Sequence, residues 1–149
     1  IMENQLQQIR GVLISVPDGK ILLPNTTVCE IITYITPEPV ENKPDWYIGA
    51  MRWKGYRLPL VSYSLIAGLN KESLSGAKVA ILKGLLGDTK MPYYAILTQG
   101  FPRLVNIEAN QILDDKESSA EFYYSAYLDN DSITVPKLDK VEEVIREHL

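Results

Sequence analysis

The side chains that most enzymes work with are scarce in this sequence. Its 149 residues include one cysteine, Cys29, and one histidine, His148. No intrachain disulfide and no multi-cysteine zinc site can be assembled from them, and acid-base chemistry through imidazole has a single candidate. Ser62 and Ser64 are conceivable nucleophiles with His148 as base, but neither sits in a Gly-x-Ser-x-Gly elbow. Cys29 stands in a strand-like run with Val28, Ile31 and Ile32, where a thiol is expected as a small buried hydrophobe rather than a reactive thiolate. Gly84-Leu85-Leu86-Gly87-Asp88 lacks the Lys-Ser/Thr ending of a phosphate loop and reads as a turn. Asp114-Asp115 with Glu117 lacks the glycine and the terminal glutamate of a calcium loop and reads as solvated surface. Asn25-Thr26-Thr27 and Asn130-Asp131-Ser132 fit a glycosylation pattern that matters only in a secreted chain, and both read as turns. The expectation is a chain with no catalytic centre, no metal and no cofactor.

Composition narrows the classes further. With 46% hydrophobic and 23% charged residues the sequence is that of an ordinary folded chain, and at this length a core forms without staples. The net charge of -4 and a pI near 5.0 argue against a general nucleic-acid binder, which needs cations to displace condensed counterions. Charge is uneven: residues 1–75 carry seven basic and seven acidic side chains, residues 76–149 eight and twelve. A basic patch must therefore be local. No apolar run reaches the roughly 18 residues of a membrane span, and the amino end is polar and Gln-rich rather than a signal peptide. A cytoplasmic protein without direct membrane insertion is expected.

The elements that must position these residues are mostly strands. Short runs rich in Val, Ile, Tyr and Thr recur between Gly, Pro, Asn and Asp. Gly11 to Val16 and Ile21 to Leu23 flank Asp18-Gly19 as a hairpin, and a strand follows from Thr27 to Thr36. Thr36-Pro37-Glu38-Pro39 stops the pairing, so 37–44 is a loop. Trp46 to Lys54 and Arg57 to Tyr63 flank Gly55-Tyr56 as a second hairpin. A short helical connection, Ser64 to Leu69, and a polar surface stretch, Asn70 to Gly76, lead to strands at Ala77 to Lys83, Pro92 to Thr98, Phe122 to Leu128 and Ser132 to Val135. Weaker strands are read at Arg103 to Asn106 and Gln111 to Leu113. Leu138, Val141, Val144, Ile145 and Leu149 then recur at helical spacing behind a capping-box-like Asp139 and Glu142. That helix is expected to pack across an open barrel end. Two β-rich halves suggest an all-β fold of two small barrels with a common core.

The most unusual stretch is Gly49-Ala50-Met51-Arg52-Trp53-Lys54-Gly55-Tyr56-Arg57-Leu58-Pro59-Leu60. On a strand, Met51 and Trp53 point to one face and Arg52 and Lys54 to the other, so an apolar pair anchors the sheet beneath two displayed cations. A solvated strand face with a glycine turn explains the same spacing equally well.

With Val28-Cys29-Glu30-Ile31, a proline-bearing loop and Leu58-Pro59-Leu60-Val61, this stretch resembles the CheW-like family of bacterial chemotaxis coupling proteins. Val79 to Leu82, Tyr94 to Leu97, Asn110 to Leu113, Ser132 to Val135 and the terminal helix fit the same pattern more loosely, so the resemblance covers about residues 10–149. It implies two five-stranded SH3/OB-like barrels sharing a hydrophobic core, with short helices and a C-terminal helix. As a single domain, the first barrel would span about 11–69, the second about 77–136, and the helix about 138–148. It also implies a non-catalytic scaffold that links the cytoplasmic tip of chemoreceptors to the regulatory domain of a chemotaxis histidine kinase. Partner-binding positions carried over by motif are Val28, Glu30, Gly49 and Lys54, and strand parity adds Arg52.

The pattern departs from the family where Arg52-Trp53-Lys54-Gly55 replaces Asn-Leu-Arg-Gly and Ser62-Tyr63-Ser64 replaces Asp-Leu-Arg. An ammonium at position 54 cannot reproduce a guanidinium's planar fork. These features resemble the branch of the family found in pilus-linked chemosensory systems. An alternative is an oligonucleotide-binding barrel with Trp46, Trp53, Tyr56, Arg52, Lys54 and Arg57 as a stacking groove.

Overall fold

Alternating apolar residues build ten strands in a computed structural model that describes residues 8–87, 89–108, 112–115 and 120–149. In chain order they are β1 (Gln8–Val16), β2 (Gly19–Pro24), β3 (Val28–Thr33), β4 (Tyr47–Trp53), β5 (Tyr56–Val61), β6 (Ala77–Lys83), β7 (Tyr93–Glu108), β8 (Ile112–Asp115), β9 (Tyr123–Leu128) and β10 (Asp131–Pro136). Two helices complete the chain, α1 (Tyr63–Ile66) after β5 and α2 (Leu138–Arg146) after β10. The fold is all-β, as expected. The weak strand at Arg103 to Asn106 is the far half of β7. Of the other weak strand, Ile112 and Leu113 begin β8, while Gln111 lies outside the described residues, as do Asn110, Asp88 and Glu117.

β7 organises the sheet because its 16 residues serve two sets of partners. Its first half pairs with β6 antiparallel and with β5 parallel, and its second half pairs with β1 antiparallel. Gly100, with φ of 68°, sits between the halves in a conformation few other residues adopt. One lobe is then β3, β6, the start of β7, β5 and β4. The other is the end of β7, β1, β2, β10, β9 and β8.

The strands thus form one connected sheet, with β5 and β4 branching from β7, rather than two separately closed barrels, and the lobes do not follow the chain halves read from sequence. β1 and β2, expected within a barrel at 11–69, belong with the late strands. β6 and the start of β7, expected within a barrel at 77–136, belong with β3 to β5. The cause is the length of β7, which offers β1 an antiparallel partner from Arg103 to Glu108.

A shared core lies between the lobes. Val12, Ile14, Ile21 and Leu23 meet Val61, Tyr63, Leu82, Tyr94 and Ile96 there, and each lobe keeps a smaller cluster of its own. α2 closes this core with Leu138, Val141 and Ile145, all buried. Each contributes about 1.5–3 kcal/mol relative to an exposed side chain. The capping box expected at its start is not formed: Lys137 is the N-cap, with no side-chain bond to the helix. Glu142 instead turns inward, where its carboxylate accepts from Leu85 N–H at 2.8 Å, Leu86 N–H at 3.3 Å and Tyr94 O–H at 3.1 Å. A loop amide beside a core needs an acceptor, and Glu142 supplies one.

Candidate docking surface

β3 carries a bulge. Val28 pairs with Leu82 and Glu30 with Ile81, which leaves Cys29 as the extra residue between them. A bulge breaks the two-residue alternation, so Cys29 and Glu30 both face outward. Cys29 is therefore exposed, not buried as its apolar neighbours suggested. Partial desolvation still pushes its thiol above the ordinary value, against the pull of the Lys83 and Lys54 charges.

The β4–β5 hairpin approaches this strand from the other side. Its closing pair is Trp53 and Tyr56, so the two-residue loop is Lys54-Gly55 rather than Gly55-Tyr56. Lys54 has φ of 47° and Gly55 φ of 85°, the two positive values a tight primed turn demands. Lys54 thus leaves the strand, and its ammonium folds over the Trp53 ring, 5.0 Å from the centroid. Trp53 is half-buried and donates from Nε1 to Glu30 Oε1 at 2.8 Å. Tyr93 packs edge-on to both Trp53 and Tyr56 at 5.1 and 4.9 Å. Glu30, Trp53 and Lys54 form one continuous surface feature.

Arg52 does not belong to that feature. The expected face shared by Arg52 and Lys54 is absent because parity ends where the turn begins. Arg52 lies on the outer side of the hairpin, beside Glu38 at 3.6 Å. Gly49 is buried, and a Cβ there would stand 2.5 Å from Glu38 O and 3.0 Å from Pro37 Cβ. The missing side chain lets the 37–38 loop lie against β4.

Val28 and Glu30 line a cleft of about 250 Å³ together with Cys29, Ile31, Val12, Asn25, Pro102 and Leu104. The cleft runs between β3 and the β1–β7 pair, with aliphatic walls and a carboxylate on its rim. Leu104 is 70% exposed there. Sequence reading missed Leu104 and Pro102, which only the second half of β7 brings beside β3.

A family model described as CheW-like domain matches residues 10–146. The chain belongs to the CheW-like domain family. No curated protein sequence matches it significantly. Among solved structures, the chain is similar to the scaffolding protein TtCheW from Thermoanaerobacter tengcongensis, with a TM-score of 0.73 at 17% identity, covering 87% of this chain and 89% of that one. That likeness establishes the CheW fold for the arrangement of strands described above.

Within this CheW-like fold the rival sites come apart. Trp46 packs on the shared core and stacks edge-on with His148 at 5.1 Å, while Trp53 packs on the cluster inside the first lobe. One face of Trp53 is taken by Lys54, and Trp46 lies on a different cluster from Trp53 and Tyr56, which meet at Tyr93. Ser62 caps α1, accepting from Leu65 N–H at 3.0 Å, and donates to buried Glu72. His148 lies against the Val144 carbonyl at 2.9 Å. Serine and histidine each serve local structure. Among the described residues no group of three His, Cys, Asp or Glu could hold a metal ion, and no helix is long and apolar enough to cross a membrane.

Proposed function

We propose that this chain is a non-catalytic coupling scaffold of a chemosensory system, working in the cytoplasm and joining a chemoreceptor tip to the regulatory domain of a histidine kinase. Membership of the CheW-like family supports that reading. The observation that carries it furthest is the open aliphatic cleft under Leu104. Leu104 does not stand alone there: with Val12, Val28, Ile31 and Pro102 it lines one contiguous, open apolar cleft, and a contiguous apolar patch rather than a single exposed leucine is what marks a docking groove. Such a groove accepts two or three aliphatic side chains from one face of a helix, and Glu30 on the rim selects for a cation beside them. The helical tip of a receptor has that form.

The Lys54–Trp53–Tyr56 surface at the hairpin tip is the proposed contact for the kinase domain. A half-buried tryptophan backed by Tyr93 is rigid, so little side-chain entropy is lost when a partner covers it. A scaffold of this kind alters kinase output by contacting one kinase conformation better than another, with no chemistry of its own.

Substitution separates the two surfaces. Leu104→Asp should weaken capture of a receptor-tip fragment about tenfold or more, while Lys54→Glu should weaken capture of the kinase regulatory domain. Both positions are exposed, so thermal unfolding should stay unchanged. Unaltered capture by both variants removes both surfaces from consideration.

A further inference from the structure

The outer side of the β4–β5 hairpin carries a second surface. Arg52 and Arg57 are direct partners across the two strands, an arrangement in which like charges repel. One carboxylate serves both: Glu38 Oε1 lies 3.6 Å from Arg52 Nε and 3.9 Å from Arg57 Nε. These are long contacts, and the arginine side chains remain 72% and 52% exposed. Two planar forks with one carboxylate between them leave positive charge in excess, displayed in the geometry a further carboxylate fits.

The backbone beside Arg52 is also open. Trp53 and Tyr56 close a two-residue loop and exchange hydrogen bonds, so the next pair, Arg52 and Arg57, does not. The Arg52 N–H and C=O therefore point away from β5. Ala50, two residues earlier, shows the same parity: its N–H donates outward to Glu38 O at 2.9 Å, and its C=O accepts from Glu38 N–H at 2.8 Å. That bridge is isolated, and among the described residues no backbone hydrogen bond joins Arg52 to the 35–36 segment, which stands across a cleft from it. That cleft has a volume of about 230 Å³ and is lined by Ile32, Ile35, Pro37 and Met51.

We propose that this edge binds an extended protein segment with an acidic residue flanked by aliphatic ones. The acidic residue pairs with Arg52 on the outer face and its carboxylate takes both guanidiniums. Strand alternation sends the neighbouring aliphatic side chain to the opposite face, toward Met51 and Ile32. Two main-chain hydrogen bonds to Arg52 continue the bridge begun at Ala50. The two clefts share no residue, so this surface stands whether or not the coupling-scaffold reading does.

The test is a titration of the ¹⁵N-labelled full chain with the peptide acetyl-Ser-Leu-Glu-Leu-Ser-amide and its Gln counterpart. Saturable shifts are expected in the amides of Glu38, Ala50, Arg52 and Arg57, with the Gln peptide binding about fivefold more weakly or worse. Arg52→Glu should weaken the acidic peptide by a similar factor. Glu38→Gln should bind it about two- to fivefold more tightly, because the competing carboxylate is gone while the backbone bridge is kept. Circular dichroism checks each variant's fold, and the Gln peptide and the Glu38 variant decide the matter if Arg52→Glu does not fold. The proposal is overturned by no saturation up to about 10 mM peptide, by equal binding of both peptides, by shifts confined to the Leu104 cleft, or by inorganic phosphate producing the same shifts.

Discussion

An alanine at position 49 separates a contact role for that glycine from a packing role. The added Cβ would lie 2.5 Å from Glu38 O and 3.0 Å from Pro37 Cβ and Cγ. The nearest obstacle is a main-chain oxygen, which cannot rotate aside, so the 37–38 loop must lift. Lifting it breaks the two hydrogen bonds between Glu38 and Ala50, a loss of roughly 1–3 kcal/mol. Replacing glycine also restricts the unfolded chain, which returns about 0.4–1 kcal/mol. The net expectation is destabilisation by about 1–2 kcal/mol, or a fall in Tm of roughly 2–8 °C for a chain of this size. Scanning calorimetry measures the Tm, and urea unfolding with an unchanged m-value shows that the effect lies in the folded state. A variant as stable as the parent but deficient in partner capture would refute the reasoning, because Gly49 would then be a contact and the loop's packing irrelevant.

Two further perturbations address single titratable groups, one in the core and one in the cleft lining. Glu142→Ala strips the acceptor from Leu85, Leu86 and Tyr94 and should cost roughly 2–4 kcal/mol in urea unfolding. Burial raises the Glu142 carboxyl above its ordinary value, outweighing the bonds from Leu85, Tyr94 and Leu86. A group with a raised folded pKa binds its proton more readily folded than unfolded. Its contribution is therefore greatest below the ordinary carboxyl range and declines as pH rises through the interval up to the raised value. Melting curves across that interval should lose this slope in the variant, and an identical pH profile contradicts the assignment. Cys29, exposed but with its thiol shifted upward, should react with a disulfide reagent in the folded protein at a rate that keeps climbing with pH through 9.0. Protection of the thiol until unfolding, or a rate plateau below pH 8, would contradict that.

What could be read from the sequence was set by short-range physics. The punctuated Val/Ile/Tyr runs and the 138–149 periodicity determine local backbone, and the structure has strands and a helix at those places. The hairpin loops fell one residue earlier than read, at Pro17-Asp18 and Lys54-Gly55, because the glycine of a turn can close the loop or begin the return strand. At Lys54 that single step moved a cation from the Arg52 side of the hairpin to the Trp53 side. Cys29 was misplaced for a similar reason: alternation forecasts burial only in an unbroken ladder, and a bulge leaves no mark in composition. The membership of the lobes was not legible at all. It depends on pairings between residues some ninety positions apart, such as Val12 with Leu104. The Val28–Leu104 cleft exists only through that pairing, which is why half its lining was missed.

A coupling scaffold must hold two different signalling proteins at once. Size-exclusion chromatography with light scattering, on the purified chain mixed with a receptor-tip fragment and a kinase regulatory domain, tests this directly. A single peak with the mass of all three is the predicted result. Mutually exclusive binding, or no association with either protein, would contradict it.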